Sequence, residues 1–282
     1  HPPQVQEEGL DWSRGAAACS PRCRCHFGSP WSLPWSHLSF EFSGCLVSGA
    51  IAACWLLFAK EFVLFSLVLL AVVCFLLGSI PWGLIISKSV FHTDIREHGS
   101  GNIGTTNAMR TMGKKGGVAV FVLDFGKGLL SGLIALFVLA TFIPGAGVAA
   151  DSPASASTVV ALAFLFCTLG HIFSPWLKFK GGKGIAVAVG CLFVTFGVMG
   201  ALLEIAVFAV VVAISRFVSA GSLAAAIVCP IFAAYYFLFQ AFDPIAWVLC
   251  LVTALVVIWA HRGNIHRLAT GTERRIGDKA KE

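Results

Sequence analysis

Seven long apolar runs, at 62–87, 118–142, 158–177, 184–199, 200–215, 222–240 and 244–260, leave this chain few ways to fold. Hydrophobic residues make up 57% of the 282 and charged residues only 12%, far from the balance that lets a soluble domain coat its core. The runs approach or exceed the roughly 20 residues a helix needs to cross hydrocarbon. Inside a bilayer every peptide group must be paired within the protein, which leaves only helices and closed barrels. The runs are continuous rather than alternating, so helices are expected and a barrel is not. The reading is an all-α polytopic membrane protein of about seven transmembrane helices.

The cations order these helices. Arg96, Arg110, Lys114 and Lys115 follow the first run, Lys178, Lys180 and Lys183 the third, and Arg216 the fifth. Arg262, Arg267, Arg274, Arg275, Lys279 and Lys281 follow the seventh. The connections 143–157 and 240–244 carry no Lys or Arg, only Asp151 and Asp243. Basic connections stay in the cytoplasm, so the amino end is expected outside and the carboxyl end inside. This requires 184–215 to cross twice, turning near Gly197–Gly200 with two short helices of about 16 residues each, at 1.5 Å per residue.

The polar chemistry gathers on that inner face. Gly99–Gly117 (GSGNIGTTNAMRTMGKKGG) combines Ser100, Asn102, Thr105, Thr106, Asn107 and Arg110 with glycines, including Gly99 and Gly101. Hydroxyls, amides, open backbone N–H groups and a guanidinium in one loop suit a phosphate. Gly170–Gly184 (GHIFSPWLKFKGGKG) runs into an apolar helix, so Gly181, Gly182, Lys183 and Gly184 stand at a helix amino end, where macrodipole and unpaired N–H groups favour an anion. It is not a Walker loop, since Gly184 stands where the hydroxyl would be. His261–Ile276 (HRGNIHRLATGTERRI) places His261, Arg262, Asn264 and Arg267 within two helical turns. RFVSAGS (Arg216–Ser222) adds two hydroxyls at another inner turn, and Asp124 and Lys127 stand three apart on one side of the second run. Charges in such a helix are costly unless paired or used.

Residues 1–60 depart from this pattern and read as a poorly ordered extension, with a short apolar segment at 46–59. Residues 61–277 read as the membrane-embedded domain and 278–282 as a polar tail. Cys19, Cys23, Cys25 and Cys45 have no partner His/Cys pair at finger spacing, so no metal site is expected. The six other cysteines lie in apolar runs, where a thiol acts as a small hydrophobe.

The segments GSIPWG, DIREHGSGNIGTTNAMRTMGKKGG, DFGKG, GHIFSPWLKFKGGKG, RFVSAGS and HRGNIHRLATGTE occur in that order over about residues 62–277. In this order and spacing they resemble the bacterial acyl-phosphate:glycerol-3-phosphate acyltransferase (PlsY) family. The resemblance implies a multi-pass enzyme of the bacterial cytoplasmic (inner) membrane, its site facing the cytoplasm. It would transfer a fatty acyl group from acyl phosphate to the 1-hydroxyl of glycerol 3-phosphate, as the first step of phospholipid synthesis. No cofactor and no nucleic acid enter that chemistry; the partners are the two substrates, the bilayer and an acyl-phosphate-forming enzyme. The family's catalytic roles map onto Ser100, Arg110, Lys183, His261 and Asn264. Substrate contacts are expected from Gly99, Gly101, Asn102, Asn107, His171, Lys180, Gly181, Gly182, Gly184, Ser219, Ser222 and Arg262. Where the family usually reads HREN this chain has His261-Arg262-Gly263-Asn264, so the glutamate is either absent or supplied by Glu273.

The residues themselves support such chemistry. Two phosphate substrates, each carrying about −1.5 to −2, need several cations and N–H donors in one place. An acyl phosphate has a good leaving group, so positioning and oxyanion stabilisation carry the rate. The attacking hydroxyl's proton passes to the donor phosphate or to a histidine, His171 or His261. The competing class is a transporter of an anionic phosphorylated metabolite, which would place its polar groups near the bilayer midplane, where only Glu204 is available. No histidine is followed by aspartate five positions on, which excludes the HxxxxD acyltransferase mechanism.

Overall fold

In the computed structural model, residues 46–143 and 155–278 are described, with side chains from Leu57 onward; the expectations for residues 1–45 lie outside them. Every element among the described residues is helical. In chain order they are α1 (Leu46–Ser79), α2 (Trp82–Ser89), α3 (Thr105–Phe142), α4 (Ala156–Ile172), α5 (Ile185–Thr195), α6 (Gly197–Ser215), α7 (Val218–Ala233), α8 (Pro244–Ala260) and α9 (Arg262–Ala269). Short 3₁₀ turns at Ile95–Glu97 and Pro175–Leu177 and a π-helical stretch, Ala234–Gln240, join them.

Every expected apolar run is helical, but their bounds differ from the sequence reading. The segment 46–59 is not a separate piece: it is the start of α1. The first run breaks at Pro81, which has no N–H to donate and restrains Ile80 before it. Five helical stretches are long and apolar enough to cross a membrane, or six with α8 and α9 as one span bent by 55°. The short one is α5. Its 11 residues reach about 16 Å, roughly half the hydrocarbon thickness, whereas α6 takes 19 residues. The break between them falls at Phe196–Gly197, where Gly197 adopts a φ of 69° that few side chains tolerate.

Large apolar side chains face outward over the whole bundle, with Phe65 64%, Phe137 63% and Ile231 65% exposed. Such a surface fits lipid and not water. The interior is held by backbone-to-backbone approach. A Cβ on Gly128 would strike the Val187 carbonyl, and one on Gly190 the Phe125 carbonyl, so α3 and α5 cross with nothing between them. Gly78 and Gly170 do the same for α1 and α4. Val159, Phe164, Val187, Phe196 and Phe237 fill the core around these crossings.

At one end of the bundle Asp243 caps α8, accepting from Ala246 N at 3.0 Å, and also takes the hydroxyls of Ser155 and Thr158 at the start of α4. The basic connections meet at the other end.

Candidate active site

The first polar loop is a frame built around Asn107. Its Oδ1 accepts from Ser100 N at 2.9 Å, and its Nδ2 donates to the Ile95 and His98 carbonyls at 3.1 and 3.0 Å. Asn107 is buried, and these three bonds shape the loop. Gly99 and Gly101 take φ of 62° and 68°, and a Cβ on Gly99 would collide with the Asn107 amide. Asn102 also works within the loop, accepting from Gly104 N at 2.9 Å. Ser100 is left exposed. Gly113, at φ 71°, interrupts α3, so the turns carrying Arg110 are set apart from the membrane-spanning part.

The glycine-rich loop folds back on the end of α4. Gly181 N donates to the Ile172 carbonyl and Gly182 N to the His171 carbonyl, both at 3.0 Å. Gly184, at φ 85°, is the cap from which α5 starts. Lys183 is held between these fixed points. His171 is not presented to solvent; its imidazole is buried behind the loop, with Nδ1 3.0 Å from Lys127 Nζ. Lys180 stays exposed on the outer side.

The bend after α8 makes the third part. His261 Nδ1 donates to the Val257 carbonyl at 2.8 Å, which leaves the lone pair on Nε2. Asn264, one turn on, donates from Nδ2 to Glu273 Oε1 at 2.8 Å, and Arg267 Nε meets Glu273 Oε2 at 2.7 Å. The segment carrying Glu273 is pinned to the serine turn by Ile276 N to the Arg216 carbonyl, at 2.8 Å, and by the Arg216 guanidinium to the Ile276 carbonyl, at 2.9 Å. Arg262 points away, its guanidinium 4.0 Å above the Trp259 ring. The Ser222 hydroxyl is spent on the Val218 carbonyl, whereas the buried Ser219 hydroxyl is turned to Glu273.

These parts share one electrostatic neighbourhood. Burial, with Arg267 and Arg110 adding to it and Glu273 opposing, lowers the Lys183 ammonium to about 8. Arg110 feels Arg274, Glu273, Arg267 and Asp278. Burial works to raise the Glu273 carboxyl, but Ser219, Arg267 and Asn264 outweigh it and hold the group below its ordinary value. Asn264 Oδ1 is a buried acceptor left without a partner, which in a native site marks a place for a ligand or water.

Of the expected residues, Arg110, Lys183, Ser219, His261 and Asn264 are therefore brought together. Asn107, His171, Ser222 and Arg262 serve the scaffold or face elsewhere. Arg267 and Glu273 also belong to the cluster; the sequence placed Arg267 within two helical turns of His261 and offered Glu273 for the family glutamate, but did not join the two. The spacing of Asn264 and Arg267, three apart on one helix, was the available signal.

Residues 68–271 match the family described as Glycerol-3-phosphate acyltransferase. The chain belongs to the glycerol-3-phosphate acyltransferase family. A glycerol-3-phosphate acyltransferase of Acaryochloris marina is 41% identical over 215 residues, covering 74% of this chain and 92% of that protein. One of Clostridioides difficile is 37% identical over 218 residues, covering 77% and 98%. The crystal structure of PlsY, an integral membrane glycerol 3-phosphate acyltransferase, in its glycerol 3-phosphate form is 37% identical, with a TM-score of 0.63, and covers 75% of this chain and 96% of that one. The form of that enzyme with lysophosphatidic acid is similar at a TM-score of 0.61. For this glycerol-3-phosphate acyltransferase family member, the matched region takes in every residue placed in the cluster except Glu273, two residues beyond its end.

Proposed function

We propose that this chain transfers a fatty acyl group from acyl phosphate to the 1-hydroxyl of sn-glycerol 3-phosphate, releasing phosphate and lysophosphatidic acid. The working unit is residues 61–277, in the bacterial cytoplasmic membrane, with the amino end outside and the cluster facing the cytoplasm. The observation that carries this reading is the gathering of Arg110, Lys183 and Arg267 beside Asn264 Oδ1, a buried acceptor without a partner. The cations suit the two phosphates and the acceptor suits a glycerol hydroxyl. Lipid-facing helices beneath them give the acyl chain an apolar path.

In the step itself the 1-hydroxyl attacks the acyl carbonyl, the C–O bond to phosphate breaks, and the phosphate leaves as an anion held by the cations. The hydroxyl proton passes to the leaving phosphate or to the His261 Nε2 lone pair. A mixed anhydride needs no strong protein acid, so positioning and charge stabilisation supply the rate.

The test is a purified-enzyme assay comparing acyl phosphate, acyl-CoA and acyl-carrier-protein donors, run with Arg110→Ala and Lys183→Ala. Acyl phosphate should be the working donor, and each variant should lose about a hundredfold or more in activity. Arg110→Lys should also be poor, because an ammonium lacks the planar fork. Lys178→Ala should be nearly silent. Transfer from acyl-CoA alone, or full activity in Lys183→Ala, would refute the proposal.

A further inference from the structure

Asp124, Lys127 and His171 form a buried charged group that the reaction as described does not use. The Asp124 and Lys127 side chains are each 2% exposed, in a helix lined with apolar residues. A buried ion pair of this kind is a poor source of stability, since apolar side chains of the same volume serve as well or better. Its geometry points to a different purpose.

An ammonium offers three protons and accepts none. Lys127 Nζ lies 2.8 Å from the Ile80 carbonyl, 2.9 Å from Asp124 Oδ1 and 3.0 Å from His171 Nδ1. The Ile80 carbonyl is available because the helix breaks at Pro81. Because the ammonium has no lone pair, His171 Nδ1 must be the acceptor in the 3.0 Å contact. The imidazole proton then sits on Nε2. That edge faces the glycine-rich loop, where a Cβ on Gly182 would collide with Nε2. The backbone of the same histidine takes the Gly182 N–H. Lys183 is the next residue.

We infer that Lys127, held by Asp124, is a positioning residue for acyl transfer: it fixes the ring of His171, the ring braces Gly182, and the brace places Lys183 against a substrate phosphate. One rigid link thus joins the end of α1, α3 and α4 to the loop. The inference rests on the reading of Lys183 as a phosphate ligand.

The test uses the purified full chain in detergent, with inorganic phosphate as the probe, since both substrates carry that group. Asp124→Asn combined with Lys127→Met removes both charges at once, so that neither stays buried alone. This paired variant should unfold as cooperatively as the parent and bind phosphate about tenfold more weakly or worse. His171→Phe keeps a ring but loses both nitrogens and should behave alike; it carries the comparison if the paired variant fails to fold. On a Lys183→Ala background the paired change should add less than about a threefold loss, because its effect passes through Lys183. A folded paired variant that binds phosphate like the parent would overturn the inference. So would a loss of equal factor with and without Lys183, the mark of a merely structural role. Both of these outcomes leave the Lys183 reading standing. Unchanged binding in Lys183→Ala alone would remove that reading, and the inference with it.

Discussion

Lys183 is the residue on which pH acts most directly. Its ammonium, lowered to about 8 by burial and the neighbouring guanidiniums, binds phosphate only while protonated. The grip is complete below that value and is lost as pH rises through it. The substrates stay doubly charged over this range, their own second ionisation lying near 6. We expect kcat/KM to fall above about pH 8, approaching a tenfold loss per unit. Lys183→Arg, weaker in absolute terms, should lose that limb because its charge persists. A wild-type profile that stays flat up to the ordinary lysine range would contradict this. Cys167 is the other residue that calls for a prediction, since it lies one turn from His171 as a nucleophile beside a base would. Its thiol is fully buried and donates toward the Lys127 carbonyl at 3.7 Å, while His171 Nδ1 is already taken by Lys127. Cys167→Ala should therefore keep most of its activity. Acyl label trapped on Cys167 after quenching with acyl phosphate alone would show a two-step mechanism instead.

Among the elements, α9 is the one whose sequence invites repair. Gly263 stands in its first turn, where an added Cβ meets nothing nearer than Arg267 Nη1 at 3.5 Å. That turn holds no acidic residue to answer the helix dipole. Gly263→Glu should gain about 0.5–1 kcal/mol in thermal unfolding and leave acyl transfer intact, since Glu273 already accepts from Asn264 and Arg267. A sharp fall in activity would mean that the open side of α9 is substrate space. Runs of apolar residues made most helices plain in the sequence, because a continuous apolar run in hydrocarbon pairs its peptide groups as a helix. Their breaks were harder to see. Pro81 was a visible stop, yet the apolar run passes through it. The turn expected near Gly197–Gly200 falls at Gly197, whose φ is positive, but the two helices of about 16 residues expected on either side became a short α5 beside a full α6. The site divides in the same way. Arg110, Lys183, His261 and Asn264 stand in dense polar motifs and were legible. Asn107 and His171 stand in the same motifs but face inward, a difference set by packing.

For the whole molecule, the arrangement of its two ends is the testable matter. Asp243, Ser155 and Thr158 tie one end together, and the cationic loops gather at the other. A membrane-impermeant thiol reagent applied to intact cells should label a single cysteine at Phe242, which is 82% exposed, and spare one at Lys180. Labelling at Lys180 from outside would invert the proposed orientation. The clasp between Arg216 and Ile276 has a further consequence, for the order in which the enzyme is made. Every apolar helix among the described residues precedes Glu273 in the chain, and the ribosome can deliver all of them to the membrane before that carboxylate emerges. Until it docks on the serine turn, Asn264 and Arg267 lack their shared acceptor. A nascent chain that halts after Ala269 is inserted but unfinished, and its cations stand open to any passing phosphate without the carboxylate that aligns them.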